Sequence, residues 1–430
     1  MRPGFDDLFT HIAQRRGFRE YLAGLLAPRE RNKTLTALAG AEPVTGSKLP
    51  AVQRLQFFLS ESVWEPEAVN GRRLELLRAG PATAPHEGGV LVIDDSGDRK
   101  DGTATAHVGR QYLGRYGKTD NGIVTVTTLW ADERIYYPLH AVPYTPARHF
   151  AKGKSDPEFR TKLQIGADLA VRARAAGFCF RAVTADCAYG DQDGFRGELA
   201  RAGLPFVMAL RPRHGIWARA ADAHTPVDAA RALAWGGPED PGGWRLVTRT
   251  FRDGHAETWY AADAALGAWG PDGVRRLVVA TADPGTLPEK ATWYLVTNLS
   301  RPGGPREPGS PHPAAGLAEI VRIYAIRNWI EMVFTQLAKR AVRPVRGDRE
   351  HVADLDIAVG DDDAVDEQLG ELPPLLEGGG GQTVPDGLAE CLDAVGDGAE
   401  FEPLPGGGVQ LALLGEQRGA AAVQVLALAV

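Results

Sequence analysis

The sequence predicts an α/β protein: a mixed sheet, preceded by a helical segment and interrupted by a mostly β insertion. Three observations carry this expectation. Residues 5 to about 80 repeat their apolar side chains at helical spacing. From Gly88 onward, runs rich in Val, Ile, Thr and Tyr alternate with one long helical pattern. Residues 211–300 then return to strand-like segments separated by Gly- and Pro-rich turns.

In order along the chain, FDDLFTHIAQRRGFREYLAGLL places Phe9, Ile12, Phe18, Tyr21, Leu22, Leu25 and Leu26 on a helical repeat, and two further helical stretches end at Gly80. VLVID reads as a strand that ends on two acids, Asp94 and Asp95. The segments 122–132 and 133–144 continue from it as an antiparallel meander. A helix is expected from an Asp156 cap, with Pro157 at its first position, to a stop at Gly177. FRAVTAD (180–186) and LPFVMAL (204–210) are short buried strands. Residues 316–340 read as one amphipathic helix whose buried side holds Ile320, Ile323, Tyr324, Ile330, Val333, Phe334 and Leu337. The domain limits expected from this reading are 1–85 (helical), 86–210 and 301–340 (the α/β body), 211–300 (the insertion) and 341–430 (a tail).

Composition excludes several classes. With 44% hydrophobic and 24% charged residues, the chain is ordinary for a globular protein, and no apolar run is long enough to span a membrane. The N-terminus lacks the apolar core and cleavage site of a signal peptide. Cys179, Cys187 and Cys391 suit a reducing compartment, and no CxxC or HExxH spacing marks a zinc site. The net charge of -7 conceals two unlike parts. Residues 340–430 carry five Arg and no Lys against eighteen acids, which leaves the preceding residues at about +6. The basic body suits a phosphate backbone; the tail, with Phe401 as its one aromatic residue, suits neither a phosphate backbone nor a packed core.

Three acids stand where apolar patterns converge: Asp94 and Asp186 at strand ends, and Glu331 within the long helix. An acid among apolar residues is costly unless it is paired or bound to metal. Converging carboxylates are what two-metal phosphoryl chemistry requires. Cys187 beside Asp186, with His140 and His149 in the meander, carries no signature of a thiol–His pair. GRYGKTDNG lacks the strand–GxGxxG–helix setting of a dinucleotide site.

On these motifs the chain resembles the DDE transposases of bacterial insertion sequences. VIDDSG resembles the first motif, with Asp94 as the catalytic position, Ser96 as the hydroxyl and Asp95 as the alternative acid. TADCAYG resembles the second, with Asp186. Tyr324, Arg327 and Glu331 keep the spacing of the third; its Lys falls at Ala338, and Lys339 comes one step late. The resemblance covers roughly residues 1–339. It implies an RNase H-like sheet, a β insertion before the Glu, and Asp94, Asp186 and Glu331 as ligands of Mg²⁺ or Mn²⁺. It also implies DNA ends and target DNA as partners, a homodimer in the DNA complex, and a bacterial cytoplasmic location. Arg99, Lys100, Arg110, Arg115 and Lys118 are the expected phosphate contacts. A second reading, an inactive DNA-binding remnant, follows from the displaced Lys and the atypical tail.

Overall fold

The computed structural model describes residues 4–27, 34–100, 102, 106–250 and 255–330. Glu331, the last residues expected in its helix (Val333, Phe334, Leu337), Cys391 and the whole tail lie outside the described residues. Four helices open the chain: α1 (Ile12–Leu26), α2 (Leu35–Leu38), α3 (Pro50–Ser60) and α4 (Pro66–Ala79). Their own core gathers Phe9, Phe18, Tyr21, Leu25, Leu38, Leu55, Phe58 and Val69. Ile12 and Leu26 share the helical repeat of α1 but are exposed, because the stripe that packs is Phe18, Tyr21 and Leu25.

The helices give way to β1 (Val90–Arg99), β2 (Gly109–Leu113), β3 (Lys118–Ala131) and β4 (Tyr136–Pro143). Next come α5 (Lys162–Ala175), β5 (Ala182–Ala185), α6 (Cys187–Gly190), α7 (Asp193–Arg201) and β6 (Phe206–Ala209). The chain continues through α8 (Pro226–Arg231), β7 (Arg245–Thr250), β8 (Ala256–Ala264), β9 (Arg276–Thr281), β10 (Thr292–Thr297) and α9 (Leu317–Ala325). The ten strands of the described residues form one mixed sheet in the order β2-β3-β1-β5-β6-β10-β9-β8-β7, with β4 also on β3. The run β4-β3-β1-β5-β6 is an antiparallel meander followed by two parallel strands, as expected for an RNase H-like sheet. The strands of 211–300 hydrogen-bond onto its β6 edge through β10, so they lengthen the same sheet.

Two layers cover the sheet. Leu91, Ile93 and Val183 face α5 and α7 through Ile165, Leu169, Phe195 and Leu199. Val90, Val92 and Ala182 face α9 through Ile320, Ile323 and Tyr324. The alternation along β1 assigns each residue to a face by parity.

Three expectations need correction. β1 does not stop at Asp94; its pairing with β3 continues through Asp94↔Thr127 and Asp95↔Val126 to Arg99↔Gly122, because the long β3 supplies partners that far. α5 starts at Lys162, not near Asp156. Thr161 caps it, accepting from the N–H of Gln164 while the Gln164 side chain accepts from Thr161, a reciprocal box that Asp156 and Pro157 do not form. The helix ends as expected, at Gly177 with φ +81°. Beyond α9 the chain tightens into a 3₁₀ turn, Ile326–Asn328, before helix resumes at Trp329.

The opening helices join the sheet through a polar contact. Arg73, buried in α4, donates to the carbonyl oxygens of Pro138 (2.6 Å) and Leu139 (2.8 Å) and to Asn70 Oδ1 (2.8 Å). Asn70 Nδ2 lies 3.2 Å from His140 Nδ1. Burial, aided by the charges of Arg172 and Arg73, lowers the His140 pKa to about 3, so the imidazole is neutral at any physiological pH.

Candidate functional site

Asp94 and Asp186 stand side by side. The parallel pairs Val90↔Ala182, Leu91↔Val183 and Val92↔Thr184 fix the register. Two residues past the last pair, on both strands, come Asp94 and Asp186, and parity puts both on the face covered by α9. Neighbouring strands lie about 4.8 Å apart, so two carboxylates at matched positions share one space. Asp186 is also the N-cap of α6: its Oδ1 accepts from the N–H groups of Ala188 (3.0 Å) and Tyr189 (3.4 Å). The turn after a strand thereby fixes the carboxylate's direction.

Asp94 is anchored differently. Its Oδ1 accepts from the N–H of Asp95 (2.7 Å), and Arg327 Nη1 donates to its Oδ2 (3.3 Å). The Arg327 side chain is only 2% exposed, although it sits on the apolar stripe of its helix, one turn after Ile323 and Tyr324. Its guanidinium also lies 5.9 Å from the centre of the Tyr324 ring, and that ring meets Trp293 edge-on. Arg327 therefore reaches Asp94 from the turn after α9, with the Tyr324 ring beside its guanidinium. Ser96 lies on the Asp94 face of β1, paired with Thr125.

Asp95 points the other way, toward α5. Its Oδ1 is 3.3 Å from Lys162 Nζ, and its Oδ2 accepts from the Tyr189 hydroxyl at 3.3 Å. Burial, then the fields of Asp95, Asp94 and Asp186, pushes the Tyr189 phenol well above its usual pKa and keeps it protonated as a donor. Lys162 is a site residue that the sequence reading misses, because a helix started at Asp156 puts it mid-helix; the Thr161-x-x-Gln164 box is the signal that places it in the first turn. Cys187 is pushed up to about 11 by burial and by Asp186 and Asp191, so it stays a thiol.

Of the five expected phosphate contacts, Arg99, Arg110 and Lys118 are exposed at the β1–β2–β3 end of the sheet, and Arg99 and Lys118 face Asp120 at 4.0 and 3.3 Å. Lys100 is only 4% exposed. The side chain of Arg115, like Glu331, lies outside the described residues.

The donor set at Asp94 and Asp186 is all carboxylate oxygen, which suits a hard divalent cation such as Mg²⁺ or Mn²⁺ and not a soft one. Among the described residues no group of three His, Cys, Asp or Glu gathers as a metal cluster. No helix of the described residues is long and apolar enough to cross a membrane.

The fold is an RNase H-like sheet with two carboxylates at matched positions, one in β1 and one just after β5, and the chain belongs to the DDE superfamily endonucleases: the match to that family spans residues 4–265, which include Asp94 and Asp186. The chain is similar, at 29% identity over 328 residues (76% of this chain and 75% of the relative), to a protein of Microchaete diplosiphon described as a probable transposase for insertion sequence element IS701.

Proposed function

We propose that the chain is an insertion-sequence transposase that cuts DNA at element ends and joins the freed 3′-hydroxyl to a target. The observation that carries this reading is the β1–β5 register, with Asp94 and Asp186 matched on one face. These two residues, with Glu331, would hold two divalent ions, Mg²⁺ or Mn²⁺. Glu331 follows Arg327 by four residues, a spacing that shares a helix face. The bound ions would supply an activated water or hydroxyl and charge stabilisation at the leaving oxygen.

The chain's own groups have separable tasks. Arg327 neutralises and orients Asp94, and the α6 amides orient Asp186. Tyr189 and Lys162 hold Asp95 on the opposite face, which leaves Asp94 as the first ligand. Arg99, Arg110 and Lys118 contact the phosphate backbone, with Arg115 on the same segment. The helical residues 1–85 contribute to DNA contact and 211–300 extend the catalytic sheet; a homodimer in the DNA complex and a cytoplasmic location belong to the same reading. The alternative, an inactive DNA-binding remnant, is favoured by Ala338 standing where the third motif has Lys.

Nicking of supercoiled plasmid separates the two. The active reading expects Mg²⁺-dependent nicking, abolished by EDTA and by Asp186→Asn, in a variant that still melts like the wild type. Wild-type DNA binding with no nicking in Mg²⁺ or Mn²⁺ establishes the remnant instead.

A further inference from the structure

Between β6 and α8 the chain runs RPRHGIWARAADAHT, residues 211–225, without helix or strand. Trp217 in this segment is 97% exposed, more than any other large apolar side chain among the described residues. Along the segment it is flanked by Ile216 and otherwise by small or charged residues: Gly215, Ala218 and Ala220 beside exposed Arg211, Arg213 and Arg219, with Asp222 as the one acid of 211–225.

The segment is nevertheless tied down. Asp191, directly after α6, accepts from the Arg211 N–H (3.1 Å) and lies 3.3 Å from His214 Nδ1. His214 stacks on Trp269, ring centres 6.5 Å apart and planes 17° apart. The N–H of Ile216 donates to the carbonyl oxygen of His224 (3.0 Å), closing the loop. A cleft of about 320 Å³ opens between Trp217 and Trp269, lined also by Asp193, His214, Ile216 and Ala268. The anchor is α6, the helix that Asp186 caps, so the loop's position is coupled to that of the candidate metal ligand.

We infer that Trp217 is a stacking platform for an unpaired base, and that Arg213 and Arg219 hold the phosphates of the same single-stranded segment next to the cutting site, while Arg211, 3.6 Å from Asp191 Oδ2, helps to anchor the loop. An exposed indole among arginines is the combination that grips single strands, because every base offers a π-face and the backbone is anionic. A duplex keeps its bases stacked, so the platform favours DNA with unpaired nucleotides. Ile216 and Trp269 give the cleft an apolar wall that suits the flat face of a base, and the arginines beside Trp217 call for a polyanion. The inference rests on the reading of the chain as a DNA-cutting enzyme and names a substrate feature of it.

The test uses the full chain and two fluorescein-labelled probes: a blunt 20-base-pair duplex and the same duplex with a six-nucleotide 3′ oligo-dT overhang. Anisotropy should show tighter wild-type binding of the overhang probe. Trp217→Ala should weaken overhang binding by about 5- to 150-fold and abolish the discrimination, and Trp217→Phe should restore part of it. Arg213→Ala and Arg219→Ala should each lower the salt slope by about 0.7–0.9. Equal effects of Trp217→Ala on both probes, no effect on either, or a change of oligomeric state in gel filtration without loss of discrimination overturns the inference. Wild-type plasmid nicking is run in parallel. Nicking without discrimination sinks this inference alone, whereas Trp217-dependent discrimination without nicking sinks only the endonuclease reading.

Discussion

Gly190 closes the short helix that Asp186 opens, and the structure leaves it no room for a side chain. A Cβ at this position would overlap the Ala209 carbonyl oxygen and lie 3.0 Å from the Ala209 carbonyl carbon and 3.2 Å from Met208 Cβ. The obstacle is the backbone of β6, a buried strand paired on both sides, so it cannot swing away as a flexible side chain would. Bringing carbon atoms from 3.0 Å to the usual separation of about 3.5–4.0 Å takes a shift of roughly 0.5–1 Å, and the oxygen overlap requires more. Arg196 resists that shift, since its buried guanidinium donates to the Gly190 carbonyl oxygen. Overpacking of this kind costs about 1–3 kcal/mol, and Gly190→Ala belongs at the upper end. A loss of about 3 kcal/mol corresponds to a fall in Tm of roughly 6–12 °C for a domain of 150–250 residues. The displaced helix carries the Asp186 carboxylate with it, and a misplacement of about 1 Å costs on the order of 100-fold in rate. Differential scanning fluorimetry and plasmid nicking read the two effects. Gly194→Ala, in α7 with nothing within 4 Å of its added methyl, is the control and should stabilise by about 0.4–1 kcal/mol. A Gly190→Ala protein with wild-type Tm and wild-type nicking would refute the argument.

Two further outcomes are expected. The His140 pKa is 6.5 unfolded and about 3 folded, so the unfolded chain binds the extra proton between those values; stability is complete above pH 6.5 and is lost as pH falls, by about 2 kcal/mol at pH 5. Urea titrations at pH 7.5 and 5.0 should show a shallower pH dependence for His140→Gln, and identical dependence in both proteins would contradict the buried neutral assignment. Deleting residues 340–430 removes eighteen acids and five arginines, so DNA affinity should rise several-fold at 0.05 M salt and be unchanged at 1 M, where the Debye length is about 3 Å. Weaker binding by the shortened chain at low salt would show that the tail aids DNA contact.

The strands of the α/β body are legible because apolar runs report burial directly: VLVID, FRAVTAD and LPFVMAL all lie in the sheet. The choice between Asp94 and Asp95 was not legible. Adjacent residues on a strand face opposite ways, and only the β1–β5 register, a long-range pairing, tells which of the two shares a face with Asp186. The start of α5 is ambiguous in the sequence because Asp156–Pro157 and Thr161–Lys162 both carry helix-start signals, and only the reciprocal bonds of Thr161 and Gln164 decide between them. The burial of Lys100 and the exposure of Ile12 depend on which neighbours arrive in three dimensions, and charge or hydropathy alone carries no such information. The strands of 211–300 were recognised as β, but their attachment to the β6 edge is a long-range pairing with no local signature.

The central claim is that Asp94 and Asp186, and not Asp95, hold the metal. Mn²⁺ binding followed by electron paramagnetic resonance tests it without requiring DNA or turnover. The account predicts that Asp94→Asn and Asp186→Asn each weaken Mn²⁺ binding at least tenfold while melting cooperatively, and that Asp95→Asn stays within a few-fold of the wild type. Loss of binding in Asp95→Asn with wild-type affinity in Asp94→Asn would contradict it.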